Sequence, residues 1–160
     1  MIFAHLFPFQ TPIRKEFNKK IQFSLDFRTF RINPLLTMES QRLALIIDDE
    51  PDICYLLGKM LSRRSIVSIS ANSVREGLSK LHEYSPVLLF LDIQLPDGSG
   101  LDSIPMIRNT FPRITIVIMS AFDGQAEKNT AVQNGADFFL PKPFRQEIID
   151  ELVKTSLLRS

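Results

Sequence analysis

Cysteine occurs once, at Cys54, so no disulfide can form within this chain. Such sparse use fits a reducing compartment, and a packing role for Cys54 is expected. Long apolar runs are also missing. None approaches the roughly 18–20 residues that span a bilayer, so no membrane insertion is expected. Neither sign of charge dominates, and the formal net charge of +1 gives no global argument for nucleic acid or a membrane surface. No glycine-rich loop follows the first apolar run of the regular pattern, which disfavours a nucleotide-binding domain. Internal repeats and low-complexity tracts are lacking. What is left is an ordinary globular composition, 44% hydrophobic and 23% charged in 160 residues. That is enough for one domain with a core, with a tail at most. A cytoplasmic protein is expected.

The chain divides unequally. Residues 1–40 carry Phe3, Phe7, Phe9, Phe17, Phe23, Phe27 and Phe30, and their basic residues outnumber the acidic ones. No period persists there, and Pro8, Pro12 and Pro34 interrupt it. The segment also lacks the layout of a secretory signal. It reads as a poorly ordered basic leader, with Met38 a natural alternative start and residues 41–160 the globular domain. The rival reading is a basic, aromatic docking arm for a membrane surface or partner.

From residue 41 the punctuation is regular. Short apolar runs fall near 43–47, 66–70, 87–91, 114–119 and 136–140. Four are nearly continuous, as in strands covered on both faces. The run at 66–70 alternates and suggests an edge. Between them lie helical patterns at 52–63, 73–83, 99–110, 124–134 and 144–158, with Asn72 or Ser73 placed to cap the second and Pro105 to kink or delay the third. Five alternations of strand and helix predict an α/β fold: a doubly wound, five-stranded parallel sheet with helices on both faces.

In such a sheet the strand ends share one edge, where ligands bind. Asp48 and Asp49 end the first run, Asp92 the third, Ser120 the fourth, and Lys142 follows the fifth between Pro141 and Pro143. Three acids close together repel one another, and a hard divalent cation such as Mg²⁺ relieves that repulsion. Asp92, rigidly based and followed by Pro96-Asp97-Gly98, is placed to act as a nucleophile toward phosphorus. Ser120 and Lys142 can hold phosphoryl oxygens. On these residues alone a blander reading stays open: Asp49 or Asp52 only caps the first helix, and Ser120 and Lys142 are solvated.

Taken together, Asp48-Asp49, Asp92 with Pro96-Asp97-Gly98, Ser120-Ala121 and Lys142-Pro143-Phe144 resemble the receiver domain of two-component response regulators over about 41–158. The resemblance implies a flavodoxin-like strand order 2-1-3-4-5 and Asp92 as acceptor of a phosphoryl group from a histidine kinase or phosphotransfer protein. It also implies Mg²⁺ held by Asp49, Asp92 and the Gln94 carbonyl, with Asp48 acting through water. Ser120 and Lys142 would bind the phosphoryl oxygens, and Ser120 and Phe139 would switch, although Phe139 by itself reads equally as a core aromatic. The Lys142–Pro143 bond is typically cis in such domains.

Gln94 and Phe122 would flank the phosphoryl group, so a fairly long-lived acyl phosphate is expected, with faster decay in Phe122→Ala. The chain would be a phosphoacceptor regulator, not an enzyme, catalysing only its own phosphorylation and dephosphorylation. Two rivals are a degenerate receiver that only binds protein and a phosphatase of the haloacid dehalogenase type. The latter wants an acid where Gln94 stands, and its acidic pair after the nucleophile. Because the chain ends near the fifth helix, output through a downstream effector protein is expected, without direct nucleic acid binding. A phosphorylation-linked homodimer is a further expectation.

Overall fold

Alternation along the apolar runs decides the architecture in the computed structural model, which describes residues 42–121 and 124–157. The leader at 1–40 and Phe122 lie outside the described residues. In β1 (Leu43–Ile47), Ala44 and Ile46 face one side of the sheet while Leu45 and Ile47 face the other. All four are buried. β3 (Leu88–Asp92) repeats this with Leu88 and Phe90 against Leu89 and Leu91, and β6 (Thr115–Ser120) with Val117 and Met119 against Ile116 and Ile118.

Two apolar faces require two layers of cover. α1 (Pro51–Ser62) and α5 (Gln146–Leu157) close one face with Leu57, Leu61, Ile149, Leu152 and Val153. α2 (Val74–Tyr84), α3 (Gly100–Thr110) and α4 (Gln125–Asn134) close the other with Leu81, Leu101, Ile104, Ile107 and Ala131. Fully burying one such side chain is worth about 1.5–3 kcal/mol.

β2 (Val67–Ala71) and β7 (Phe138–Pro141) complete a parallel sheet of order β2-β1-β3-β6-β7. This is the flavodoxin-like order, with the alternating run as an edge. Among the described residues no helix is long and apolar enough to cross a membrane.

Local chemistry explains the boundaries. Ser73 caps α2, its hydroxyl accepting from the Glu76 N–H at 3.3 Å. Gly135, at φ 101°, ends α4 in the left-handed region that glycine tolerates. β3 and β6 each run one residue past their apolar pattern because pairing continues, Asp92 with Met119 and Ser120 with Pro141. A two-residue antiparallel pair, β4 (Gln94–Leu95) with β5 (Gly98–Ser99), is too short for any periodicity to reveal.

Pro105 neither delays nor ends α3. A proline cannot donate to the carbonyl four residues back. That carbonyl, on Leu101, accepts instead from Asn134 Nδ2 at 2.8 Å, across from α4.

The sheet edge opposite the predicted site is tied by one side chain. Arg108, near the end of α3, donates to the carbonyls of Pro112, Ile114 and Gly135, and its guanidinium meets Asp137 Oδ2 at 2.6 Å.

Candidate functional site

The parallel sheet brings the ends of β1, β3, β6 and β7 to one edge. Asp48, Asp92 and Ser120 are buried there, at 2%, 6% and 3% exposed. Lys142 Nζ lies between two carboxylates, 2.8 Å from Asp48 Oδ2 and 2.9 Å from Asp92 Oδ1, with Glu50 Oε1 at 3.4 Å. The lysine is positioned from its backbone, because its N–H donates to the Ser120 carbonyl at 2.7 Å. The Lys142–Pro143 peptide is cis.

A cavity of about 270 Å³ opens at this point, lined by Asp49, Asp92, Gln94, Ser120, Glu127 and Lys142 among others. A larger one, about 470 Å³, lies beside β2 and α1. It reaches Asp48 and Asp49 but none of Asp92, Ser120 and Lys142, so those three side chains meet at the smaller cavity.

Burial and charge set the protonation tendencies. Burial pushes the Asp92 carboxyl above its ordinary range, and the Lys142 ammonium and the Gln94 N–H, which donates to Oδ2 at 2.8 Å, only partly offset it. For Lys142, burial disfavours the charged form, but the carboxylates of Asp48 and Asp92 outweigh it and hold the ammonium well above its usual value. Cys54 is half-buried against the core. Burial, then the charge of Asp48, pushes its thiol up to about 11, so it stays protonated near neutrality, in keeping with a packing role.

The acidic pair splits its work. Asp48 Oδ1 accepts from the Glu50 N–H at 3.0 Å. Its Oδ2 is buried and within ion-pair distance of Lys142, yet off line for a hydrogen bond and without a hydrogen-bond partner. Glu50 takes the N-cap position of α1, with no side-chain cap bond, so Asp49 does not cap that helix. Asp49 is exposed at the cavity wall.

Among the described residues no three His, Cys, Asp or Glu side chains form a metal cage by themselves. Mg²⁺ asks for less: one or two carboxylates, with water and phosphate oxygens completing the octahedron. A buried carboxylate oxygen lacking a hydrogen bond, beside Asp49 and Asp92, fits such an ion.

The sequence did not single out Gly100 or Glu127, and it gave no partner for Asp97. Gly100 packs on Asp92 itself: a Cβ there would lie 2.0 Å from the Asp92 carbonyl oxygen. Asp97 reaches away from the cavity and accepts from the N–H groups of Val74 and Arg75, each at 2.9 Å, at the start of α2. Glu127, in the first turn of α4, accepts a hydrogen bond from the Ser120 hydroxyl at 3.1 Å. The next residue, Lys128, places its Nζ 5.6 Å from the centre of the half-buried Phe139 ring.

Fold and strand-end constellation together define a receiver, and the comparisons agree. Residues 44–154 match the family described as response regulator receiver domain, and the chain belongs to that family. It is 37% identical over 118 residues to response regulator protein PilR of Pseudomonas aeruginosa, covering 74% of this chain and 26% of PilR. It is 29% identical over 99 residues to the DNA-binding transcriptional regulator NtrC of Proteus hauseri, covering 62% of this chain and 21% of NtrC. A crystal structure of a two-component response regulator from Clostridium difficile superposes with TM-score 0.71 at 33% identity, over 74% of this chain and 98% of that one. The chain thus spans about a quarter of the two curated relatives.

These relatives correct one expectation. Output without direct nucleic acid binding rested on where the chain stops, and NtrC, which shares this domain, is by name a DNA-binding transcriptional regulator. A receiver is a module, and its own residues do not reveal what it is joined to. The family is also not that of the haloacid dehalogenase phosphatases.

Proposed function

We propose that this receiver works as a phosphorylation-activated switch, with Asp92 as the phosphoacceptor. One observation carries the reading: the Lys142 ammonium sits between Asp48 Oδ2 and Asp92 Oδ1, at the mouth of a cavity that also takes in Ser120.

An Asp92 carboxylate oxygen attacks the phosphorus of a phosphohistidine on a sensor kinase or phosphotransfer protein. The new O–P bond forms as the P–N bond breaks, and the departing imidazole keeps the electron pair and takes up a proton. Lys142 follows the charge onto the phosphoryl oxygens, and the Ser120 hydroxyl donates to one of them. The Gln94 N–H holds Asp92 Oδ2 in place. Mg²⁺, held by Asp49, Asp92 and the Gln94 carbonyl with Asp48 behind, would neutralise phosphoryl charge. Phe139 turns with Ser120, and the altered α4–β7–α5 surface is read by an output module. Water returns the protein to its ground state, so the only chemistry is on the protein itself. Residues 41–160 form the receiver and residues 1–40 a dispensable leader. A cytoplasmic location belongs to this reading.

The test is intact mass after incubation with acetyl phosphate and Mg²⁺. One phosphoryl adduct is expected on the wild type and on a chain starting at Met38, but none on Asp92→Asn or when EDTA is present. An adduct that survives Asp92→Asn would refute the assignment. A protein that takes no phosphoryl group from acetyl phosphate or from any kinase would favour a binding-only receiver.

A further inference from the structure

The Ser120 hydroxyl carries one proton, and in this structure it is donated to Glu127. A phosphoryl group on Asp92 would need the same proton, since Ser120 ends the strand beside Asp92 and lines the same cavity. The two acceptors exclude each other. Glu127 is half-buried and belongs to the first turn of α4, where a helix favours negative charge, so the bond it accepts is charge-assisted. It lines the cavity together with Asp49, Glu50 and Asp92. Lys128, the neighbouring residue, lies against the ring of Phe139. One turn of α4 therefore touches Ser120 through one residue and Phe139 through the next.

We propose that Glu127 is a positioning residue for phosphorylation: it holds the Ser120 hydroxyl in the unphosphorylated protein and must release it when Asp92 is modified. The inference rests on the phosphoacceptor reading above. The strength of the Ser120–Glu127 bond then sets how readily the site retains a phosphoryl group. Once released, Glu127 no longer ties the first turn of α4 to the end of β6, and that turn is free to move outward. Contact between Lys128 and Phe139 makes the ring respond to the same movement.

The test uses the full chain and beryllofluoride with Mg²⁺ as a stand-in for the acyl phosphate, with affinity read from ¹⁵N NMR titrations. Losing a charge-assisted competitor should tighten binding in Glu127→Ala by roughly tenfold. Glu127→Gln, which keeps an oxygen acceptor without the charge, should fall between that variant and wild type. With Ser120→Ala already present, Glu127→Ala should change affinity by less than about twofold, because the bond it removes is gone. Wild type that binds beryllofluoride while Glu127→Ala gains nothing would overturn the proposal and leave the phosphoacceptor reading intact. So would an equal gain with and without the Ser120 hydroxyl, which would mean simple charge repulsion. Wild type that binds no beryllofluoride would sink both.

Discussion

Gly100→Ala separates damage to the fold from damage to the proposed phosphoacceptor, Asp92. The added Cβ would sit 2.0 Å from the Asp92 carbonyl oxygen and 3.1 Å from the Asp92 carbonyl carbon. Carbon and oxygen in close contact settle at about 3.3 Å or more, so something must move by about 1 Å. Both neighbours are backbone. Gly100 is tied through its N–H to the Ile93 carbonyl at 2.8 Å, so the strain passes to the end of β3, where Asp92 is based. Overpacking of this kind costs about 1–3 kcal/mol of stability. A displacement of about 1 Å at a reacting group costs on the order of 100-fold in rate.

Gly77→Ala is the control. Its Cβ would meet the Ile47 side chain, 2.1 Å from Cδ1, at a buried place where the clash falls on a side chain rather than on the Asp92 backbone and neither residue lines the cavity. The assay is the initial rate of adduct formation from acetyl phosphate and Mg²⁺ by intact mass, corrected for folded fraction from circular dichroism. Gly100→Ala should lose about two orders of magnitude in rate and Gly77→Ala almost nothing, at similar losses of stability. A Gly100→Ala protein phosphorylated at the wild-type rate would refute the argument, as would a Gly77→Ala protein slowed equally.

Three further outcomes are expected. Asn134→Ala removes the donor to the Leu101 carbonyl and should cost about 1–2 kcal/mol in urea unfolding; with Pro105→Ala the restored N–H fills that role, so the loss should shrink in the double variant. Lys142→Ala leaves Asp48 and Asp92 without their shared cation and should lower the melting temperature, with Mg²⁺ restoring more of it than in wild type; equal Mg²⁺ gains would count against ion binding at these acids. The hydrogen bond from Arg64, then that from Gln146, hold Asp150 down from 3.8 to about 2. A depressed carboxylate contributes stability that is complete above the unfolded value and lost as pH falls toward the folded one. The melting-temperature gap between wild type and Asp150→Asn should therefore be full at neutrality and close between about pH 4 and pH 2; a gap independent of pH would contradict the pairing.

What the sequence disclosed follows from how each feature is built. β1, β3 and β6 were legible because both faces are covered, which forces runs such as Leu88-Leu89-Phe90-Leu91. Asp92, Ser120 and Lys142 were legible because parallel strands deliver their ends to one edge, so order along the chain becomes proximity in space. Glu127 was not: it reaches the cavity from a helix, and where that helix lies is settled by packing, of which only Ala131 of α4 is buried. Gly100 fell at the start of the helical pattern 99–110 with nothing to mark it, and its reason lies in a carbonyl eight residues back. Pro105 was read as kinking or delaying its helix because Asn134, which satisfies the Leu101 carbonyl, sits on another helix. The output was misread because it was argued from chain length rather than from any residue.

Arg108 bears on how α4 can respond. Its guanidinium holds the Gly135 carbonyl at the C-terminal end of that helix while also gripping the start of β6 and the approach to β7. One end of α4 is pinned, and the first turn at the other end carries Glu127. A ten-residue helix is about 15 Å long, so moving its first turn sideways by about 2 Å amounts to a tilt of roughly 8° about the pinned end. Sliding along the axis would have to tear the guanidinium from its carbonyls. Displacement on such a lever grows with distance from Arg108, so the first turn moves most and the Gly135 end stays nearly still.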